Sequence, residues 1–313
     1  MSTIIGGTIA IDNVSTPTGS ATNLLGGSAS YASLAASYYT KPVHLVGVVG
    51  HDYPEEHLQM LEGHGVTLDG VERSDGESFT WDGEYHENMN DRTTHKVGLN
   101  VLESWEVFIP SEAAGSRIVV PANMSPENQI QMLDQCTADD KFVIADTMDL
   151  WIEIANERLH DVMQRIDLLV INEGEAREFA GTSNLILAGE KLLEKGPSHV
   201  VIKLGEFGAI LFGPQNRMFR FHAWPLREIV DPTGAGDTFL GAMAGYLASL
   251  GGVDFSFEQI RDAILRGSIL ASCTCEAFSS RRLHTVTDED IDLRMPALME
   301  IGHWDVDLDY NRR

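Results

Sequence analysis

Apolar residues recur along this chain in short runs of strand length, separated by stretches at helical spacing. Residues 3–11 read as a buried strand carrying Gly6 and Gly7, and residues 43–49 as a second, continuous one. Between them Gly26 and Gly27 open a small-residue helix through Ala29, Ala32, Ala35 and Ala36, whose lack of bulk permits close packing. The spacing predicts a helix over 54–61. From about Val71 to Pro110 the pattern changes: Phe79, Trp81 and Tyr85 alternate with polar residues and predict an antiparallel β extension. The rhythm resumes with a strand at 117–120, a helix capped by Ser125, a strand at 142–145, a helix near 151–165 and a strand at 168–171. A helix near 185–195, a strand at 199–202 and a hairpin of 209–212 with 218–222 follow. Helices then run to about Leu250 and over 257–273.

Strands alternating with helices imply a mostly parallel sheet covered on both faces. No repeat, low-complexity segment or long linker divides the chain, so one α/β unit spanning 1–313 is expected, with a small β appendage. A chain of 313 residues that is 43% hydrophobic can build such a core. No run approaches the roughly 18 apolar residues of a membrane span, and the start lacks a signal peptide's charged and cleavable pattern. The expectation is a cytoplasmic protein with no membrane partner. Cys136, Cys273 and Cys275 cannot all pair and have no zinc-type spacing, so they read as small buried hydrophobes.

Charge narrows the chemistry. The balance of 47 acidic against 22 basic residues, a net −25, argues against nucleic-acid binding, which needs a basic face. Any anionic ligand must be held by local positive potential, such as the amides at a helix start.

Asp231-Pro232-Thr233-Gly234-Ala235-Gly236-Asp237, followed by Thr238 and Phe239, supplies such a place. Its glycines let a tight turn bring amides to a ligand, and the turn opens a helix whose N-terminus carries roughly +0.5 of a charge. Asp237 in the first turn is placed to accept a proton from an incoming hydroxyl. As a carboxylate of reference pKa near 3.9 it acts late, while positioning and charge stabilisation carry most of the rate. An isolated Gly-Ala-Gly-Asp serves equally as a capped turn. The flanking Asp-Pro-Thr and Thr-Phe favour the ligand site.

This heptad with its Thr-Phe continuation resembles the second signature of the PfkB family of carbohydrate kinases, over nearly the whole chain. The resemblance implies a ribokinase-like three-layer α/β/α fold whose mostly parallel central sheet carries a β lid, formed by segments about 12–24 and 72–110. It also implies ATP and Mg²⁺ as cofactors, Asp237 as catalytic base and Gly234, Ala235 and Gly236 as the anion hole. Asp231 and Thr233 fall where some members hold potassium, and Thr233 also lies on the nucleotide side. Asn172 and Glu175 match the family's Asn-x-x-Glu, which organises Mg²⁺ and phosphates through water; by themselves they read equally as the start of a helix after a strand.

Gly26 and Gly27 resemble the first signature, beside the phosphate acceptor. Tyr31 stands where many sugar kinases have an Asn. Asp12 falls where the family grips acceptor hydroxyls, or forms a turn before Asn13. Lys203, Gly205 and Gly208 resemble the nucleotide side. Near 273–282 the chain departs from the family by lacking a glycine beside the adenine and cation sites. There is no P-loop, no Gly-x-Gly-x-x-Gly after the first strand and no protein-kinase motif set.

Trp81, Tyr85, Met89, Asn90 and Arg92 in the lid suit a nucleobase, since bases stack on aromatic faces for about 1 to 3 kcal/mol. Each could instead pack the lid onto the body. The expected reaction is ATP-dependent phosphorylation of a nucleoside 5′-hydroxyl. The alternatives are a free-sugar kinase and an inactive ligand sensor on the same fold. The small-molecule acceptor is the expected partner, and some family members form homodimers through their lids.

Overall fold

The computed structural model describes residues 1–303; the acidic stretch 304–313, read from sequence as peripheral, lies outside the described residues. The strands in chain order are β1 (Thr3–Gly6), β2 (Ala10–Thr16), β3 (Gly19–Gly26), β4 (Val43–Val49), β5 (Val66–Arg73), β6 (Phe79–Tyr85), β7 (Arg92–Gly98), β8 (Ile118–Pro121), β9 (Phe142–Ala145), β10 (Leu168–Asn172), β11 (His199–Lys203), β12 (Ala209–Gly213) and β13 (Arg217–Phe221). The helices are α1 (Ser28–Ala36), α2 (Glu55–Gly63), α3 (Ser111–Ala114), α4 (Pro126–Gln135), α5 (Asp149–Ile154), α6 (Asn156–Met163), α7 (Glu173–Ala180), α8 (Leu185–Leu193), α9 (Ala235–Ser249), α10 (Phe257–Thr274) and α11 (Asp288–Ile301).

Nine strands form the central sheet, in the order β13-β12-β11-β10-β9-β8-β1-β4-β5. β12 runs antiparallel to both neighbours, and the other pairs are parallel. Successive side chains on a strand face opposite ways, and both faces here are apolar. Ile5 joins Leu45 and Val120 in the layer shared with α1, α9 and α10, whereas Ile4 joins Val46 and Val119 in the layer under α4, α6, α7 and α8. Each such side chain, once fully buried, contributes about 1.5–3 kcal/mol. Close helix packing adds to this: Gly241 and Gly245 of α9 lie directly on the backbone of Ala32 and Ala36 in α1, where a Cβ would overlap main-chain atoms. That contact brings the starts of α1 and α9 together.

A second sheet, β3-β2-β6-β7, forms the lid. Its two hairpins are antiparallel, but β2 and β6 pair parallel along the seam, so the extension is mixed and not wholly antiparallel as expected. The lid root is fixed at Ser78. The Asp52 carboxylate accepts from the Ser78 amide and hydroxyl at 2.7 Å each, the Ser78 hydroxyl accepts from Gly50 N at 2.9 Å, and Asn100 Nδ2 donates to the Ser78 carbonyl at 2.8 Å.

Several boundaries differ from the sequence reading. The single strand over 3–11 is two: the chain leaves the central sheet after Gly6 and re-enters structure in the lid as β2, so Asp12 lies within a lid strand and not at a strand end. Gly7 permits the departure, since a Cβ there would sit 2.7 Å from Ser28 Oγ. Val66–Arg73 belongs to the central sheet beside β4, and residues after β7 return to the body, burying Val101, Trp105, Val107 and Ile109. The helix near 151–165 is broken at Ala155, whose φ of −133° is not helical.

Candidate active site

The Asp231–Asp237 segment is held by its first residue. Asp231 is fully buried, with one carboxylate oxygen accepting from Thr233 N and the other from Ser279 N, both at 2.9 Å. This ties the turn to the segment after α10. Gly234 then adopts φ +75°, ψ 0°, the left-handed conformation that favours glycine, and caps α9, whose Thr238 N donates to its carbonyl at 2.8 Å. Ala235, Gly236 and Asp237 form the first helical turn, where amides have no intrahelical acceptor. The turn faces a cleft of about 490 Å³ whose walls include Pro232, Ala235 and Gly236.

Three carboxylates surround one ammonium beside this turn. Lys203, at the end of β11, forms an ion pair with Asp146 Oδ2 at 3.2 Å, and its Nζ lies 3.1 Å from where a Cβ on Gly236 would stand. Burial alone would depress the lysine, but Asp146, Glu175 and Asp237 outweigh it and raise its pKa. Burial, and then the Asp146 charge, push the Asp237 carboxyl up to about 7 despite Lys203 and Arg92 nearby. The same two causes push Glu175 to about 8. A divalent cation bound here would lower both carboxyls and favour their ionised forms.

Asn172 and Glu175 form a capping box at the start of α7. Asn172 N donates to the Glu175 carboxylate at 3.0 Å, and Glu175 N donates to Asn172 Oδ1 at 2.9 Å. The pair therefore serves the helix and also stands at the carboxyl end of β10, next to the Lys203 cluster. Sequence reasoning missed Asp146. Its position directly after the apolar strand Phe142–Ala145, at the edge where open α/β sheets bind ligands, was the available signal.

Of the residues expected from sequence beside the acceptor, Gly26 ends β3 and Gly27 caps α1 with φ +90°. A Cβ on Gly26 would overlap the Asp12 carboxyl, so glycine there leaves Asp12 its place. Asp12 is 4% exposed, and burial, reinforced by Asp231 and Asp237, raises its carboxyl well above the usual range. Tyr31 is 1% exposed: its hydroxyl donates to the Leu25 carbonyl at 3.2 Å and its ring lies directly beneath Gly234. It thus supports the turn from below. Above, Val14, Leu24 and Tyr85 form the lid's apolar cluster, with Trp81, Met89 and Phe278 packed against it.

The residues read from sequence as the nucleotide side, Lys203, Gly205 and Gly208, line the same cleft, together with Trp224 and the lid residues Met89, Asn90 and Arg92. Gly208 also meets the β13 backbone so closely that a Cβ would overlap the Phe221 carbonyl.

Fold and site together define an α/β phosphotransferase. The model of the pfkB family carbohydrate kinases matches residues 9–285, and the chain belongs to that family. It is 29% identical to a cytidine kinase of Thermococcus kodakarensis over 78% of this chain and 87% of that protein. It is 26% identical to a nucleoside kinase of Methanothermobacter thermautotrophicus over 75% of each chain. A crystal structure of a putative ribokinase II from E. coli in complex with ATP and Mg²⁺ superposes with a TM-score of 0.75 at 18% identity, covering 96% of this chain and 99% of that one.

Proposed function

We propose that this kinase transfers the γ-phosphoryl group of ATP to the 5′-hydroxyl of a nucleoside. The observation that carries the reading is Asp237 in the first turn of α9, beyond a left-handed Gly234, close enough for its charge to act on both Asp12, assigned to the acceptor, and Lys203, assigned to the nucleotide. Asp12 grips an acceptor hydroxyl, Asp237 takes the proton of the attacking one as the bond to phosphorus forms, and the amides of the Gly234–Gly236 turn with Lys203 stabilise the charge on the moving phosphate. Asn172 and Glu175 would hold magnesium through water, and the ion would supply charge neutralisation to the phosphates. No step of this reading requires potassium, and each Asp231 carboxylate oxygen, with a single backbone amide donated to it, keeps a lone pair for such an ion.

The apolar lid cluster of Trp81, Tyr85 and Met89, with Phe278 packed against it, supports a nucleobase, and so do the cytidine kinase and nucleoside kinase among the relatives, although ribokinases match as well. The lid of residues 10–26 and 79–98 serves one catalytic unit. Its outer strand β7 is exposed along nearly its whole length, which favours pairing with a second copy of the lid. Among the described residues no helix is long and apolar enough to cross a membrane. We place the enzyme in the cytoplasm, where ATP is supplied.

A panel of nucleosides, ribose, fructose and sugar acids, scored by thermal shift and then by ATP consumption, tests the assignment. Nucleosides should stabilise the protein and accept phosphate. Turnover of a sugar without any nucleoside would replace the acceptor class, and stabilisation without turnover would make the chain a sensor.

A further inference from the structure

We propose that Asp146 is a positioning residue for phosphoryl transfer: its carboxylate holds the Lys203 ammonium against the Gly234–Gly236 turn, where the transferring phosphate arrives. The inference rests on the phosphotransfer assigned to that turn and does not depend on the acceptor.

Asp146 has little freedom to move. Its Oδ1 accepts from Thr147 N at 2.8 Å, and its backbone carbonyl accepts from Gln129 Nε2 at 2.9 Å. Gln129 is 1% exposed and also donates to the carbonyls of Pro121 and Ala122 at 3.1 Å each, so one buried amide ties together the carboxyl ends of β8 and β9. Lys203 is the flexible partner, reaching Asp146 across the end of β10 on a four-carbon stem. Both side chains are largely buried, at 7% and 16% exposure. A buried ion pair is a weak source of stability, because desolvation offsets the attraction. Geometry is the better account of this one.

The alternatives open to Lys203 show what Asp146 does. Glu175 and Asp237 are the other carboxylates acting on the ammonium. Were Asp146 neutral, the lysine would be left to Glu175 and Asp237 and would no longer be fixed in its place beside Gly236. With Asp146 charged, the ammonium stays beside the turn and Asp237 remains free for the acceptor hydroxyl.

The test is a kinetic cycle of Asp146→Asn, Lys203→Met and the double variant, with Asp146→Glu as the charge-retaining control. Each single variant should lower kcat about tenfold or more, and the double should be no slower than the slower single. In Asp146→Asn the Kd for ATP should change by less than about threefold, because the lysine is misplaced and not lost. Asp146→Glu should recover part of kcat. Independent effects that multiply in the double variant would overturn the proposal, as would restoration of Asp146→Asn by excess Mg²⁺, which would route Asp146 through the metal. If Asp146→Asn does not fold, Lys203→Met and Asp146→Glu still decide: wild-type kcat in Lys203→Met sinks the idea, and low kcat there beside partial activity in Asp146→Glu sustains it. The cycle runs with whichever acceptor turns over, so a wrong acceptor class and a wrong role for Asp146 show separately.

Discussion

The ring of Tyr31 packs directly against Gly234, so Tyr31 serves as the floor of the Gly234–Gly236 turn. A Cβ at position 234 would overlap the ring edge, and the φ of +75° there is itself unfavourable for any side chain. Two segments far apart in sequence are thereby locked: α1, opened by Gly27, carries the floor, and α9, opened by Gly234, carries Asp237, the proposed base.

Gly234→Ala should therefore damage both stability and chemistry. Backbone strain and overpacking each cost about 1–3 kcal/mol, so together about 2–6 kcal/mol. The displaced turn should lower kcat by about 10² or more, the scale of losing an oxyanion-type donor. Thermal melting and single-turnover rates measure the two effects. Wild-type kcat in this variant would mean that the turn does not seat the phosphate.

Asp237→Asn should lower kcat by about 10²–10⁴ with ATP and acceptor affinities little changed. It should also stabilise the free protein. The Asp237 carboxyl is pushed up to about 7 by burial and by Asp146, from a reference near 3.9. Between those values the unfolded chain has lost the proton while the folded one keeps it, so stability falls as pH rises across the window. Removing the charge should add on the order of 1–3 kcal/mol at about pH 8, and the gain should vanish below about pH 4. Urea unfolding at both values decides. For the active enzyme, kcat/KM should drop tenfold per unit below about pH 7 if the base must be ionised.

Much of this was legible in the sequence. The alternation of strand and helix predicted the central sheet because apolar runs of four to seven residues have few other uses, and Gly234–Asp237 stood out because Asp-Pro-Thr precedes it and Thr-Phe follows it, where the bare Gly-Ala-Gly-Asp would read equally as a capped turn. The exit of residues 7–9 from the sheet was hidden, since Ile9, Ala10 and Ile11 continue the same apolar run and burial alone does not say in which sheet. Asp146 was hidden too. A lone acid after a strand reads as a turn residue, and its partner Lys203 lies 57 positions away, brought near only by the strand order β9-β10-β11.

Asp12 and Gly26 should affect the acceptor and spare ATP. Losing a hydrogen bond to a charged group costs about 1.5–3 kcal/mol, so Asp12→Asn should lower kcat/KM for the acceptor by about 10- to 150-fold. Gly26→Ala pushes a methyl group into the Asp12 carboxyl and should act in the same direction. KM for ATP should stay within about twofold in both. A comparable loss in ATP binding would remove Asp12 from the acceptor site.

Asn172 has two candidate roles, which a pair of variants separates. As the cap of α7 it accepts from Glu175 N, and Asn172→Ala should cost about 0.5–2 kcal/mol of stability. Asn172→Ser keeps a side-chain oxygen for the cap and should melt like the wild type, because Ser and Asn cap equally well. Serine is too short to reach a magnesium water from the same position, so the Mg²⁺ concentration for half-maximal rate should rise in both variants. Should Asn172→Ser match the wild type in melting and in magnesium titration alike, the residue is a helix cap alone, and the metal would be left to Glu175.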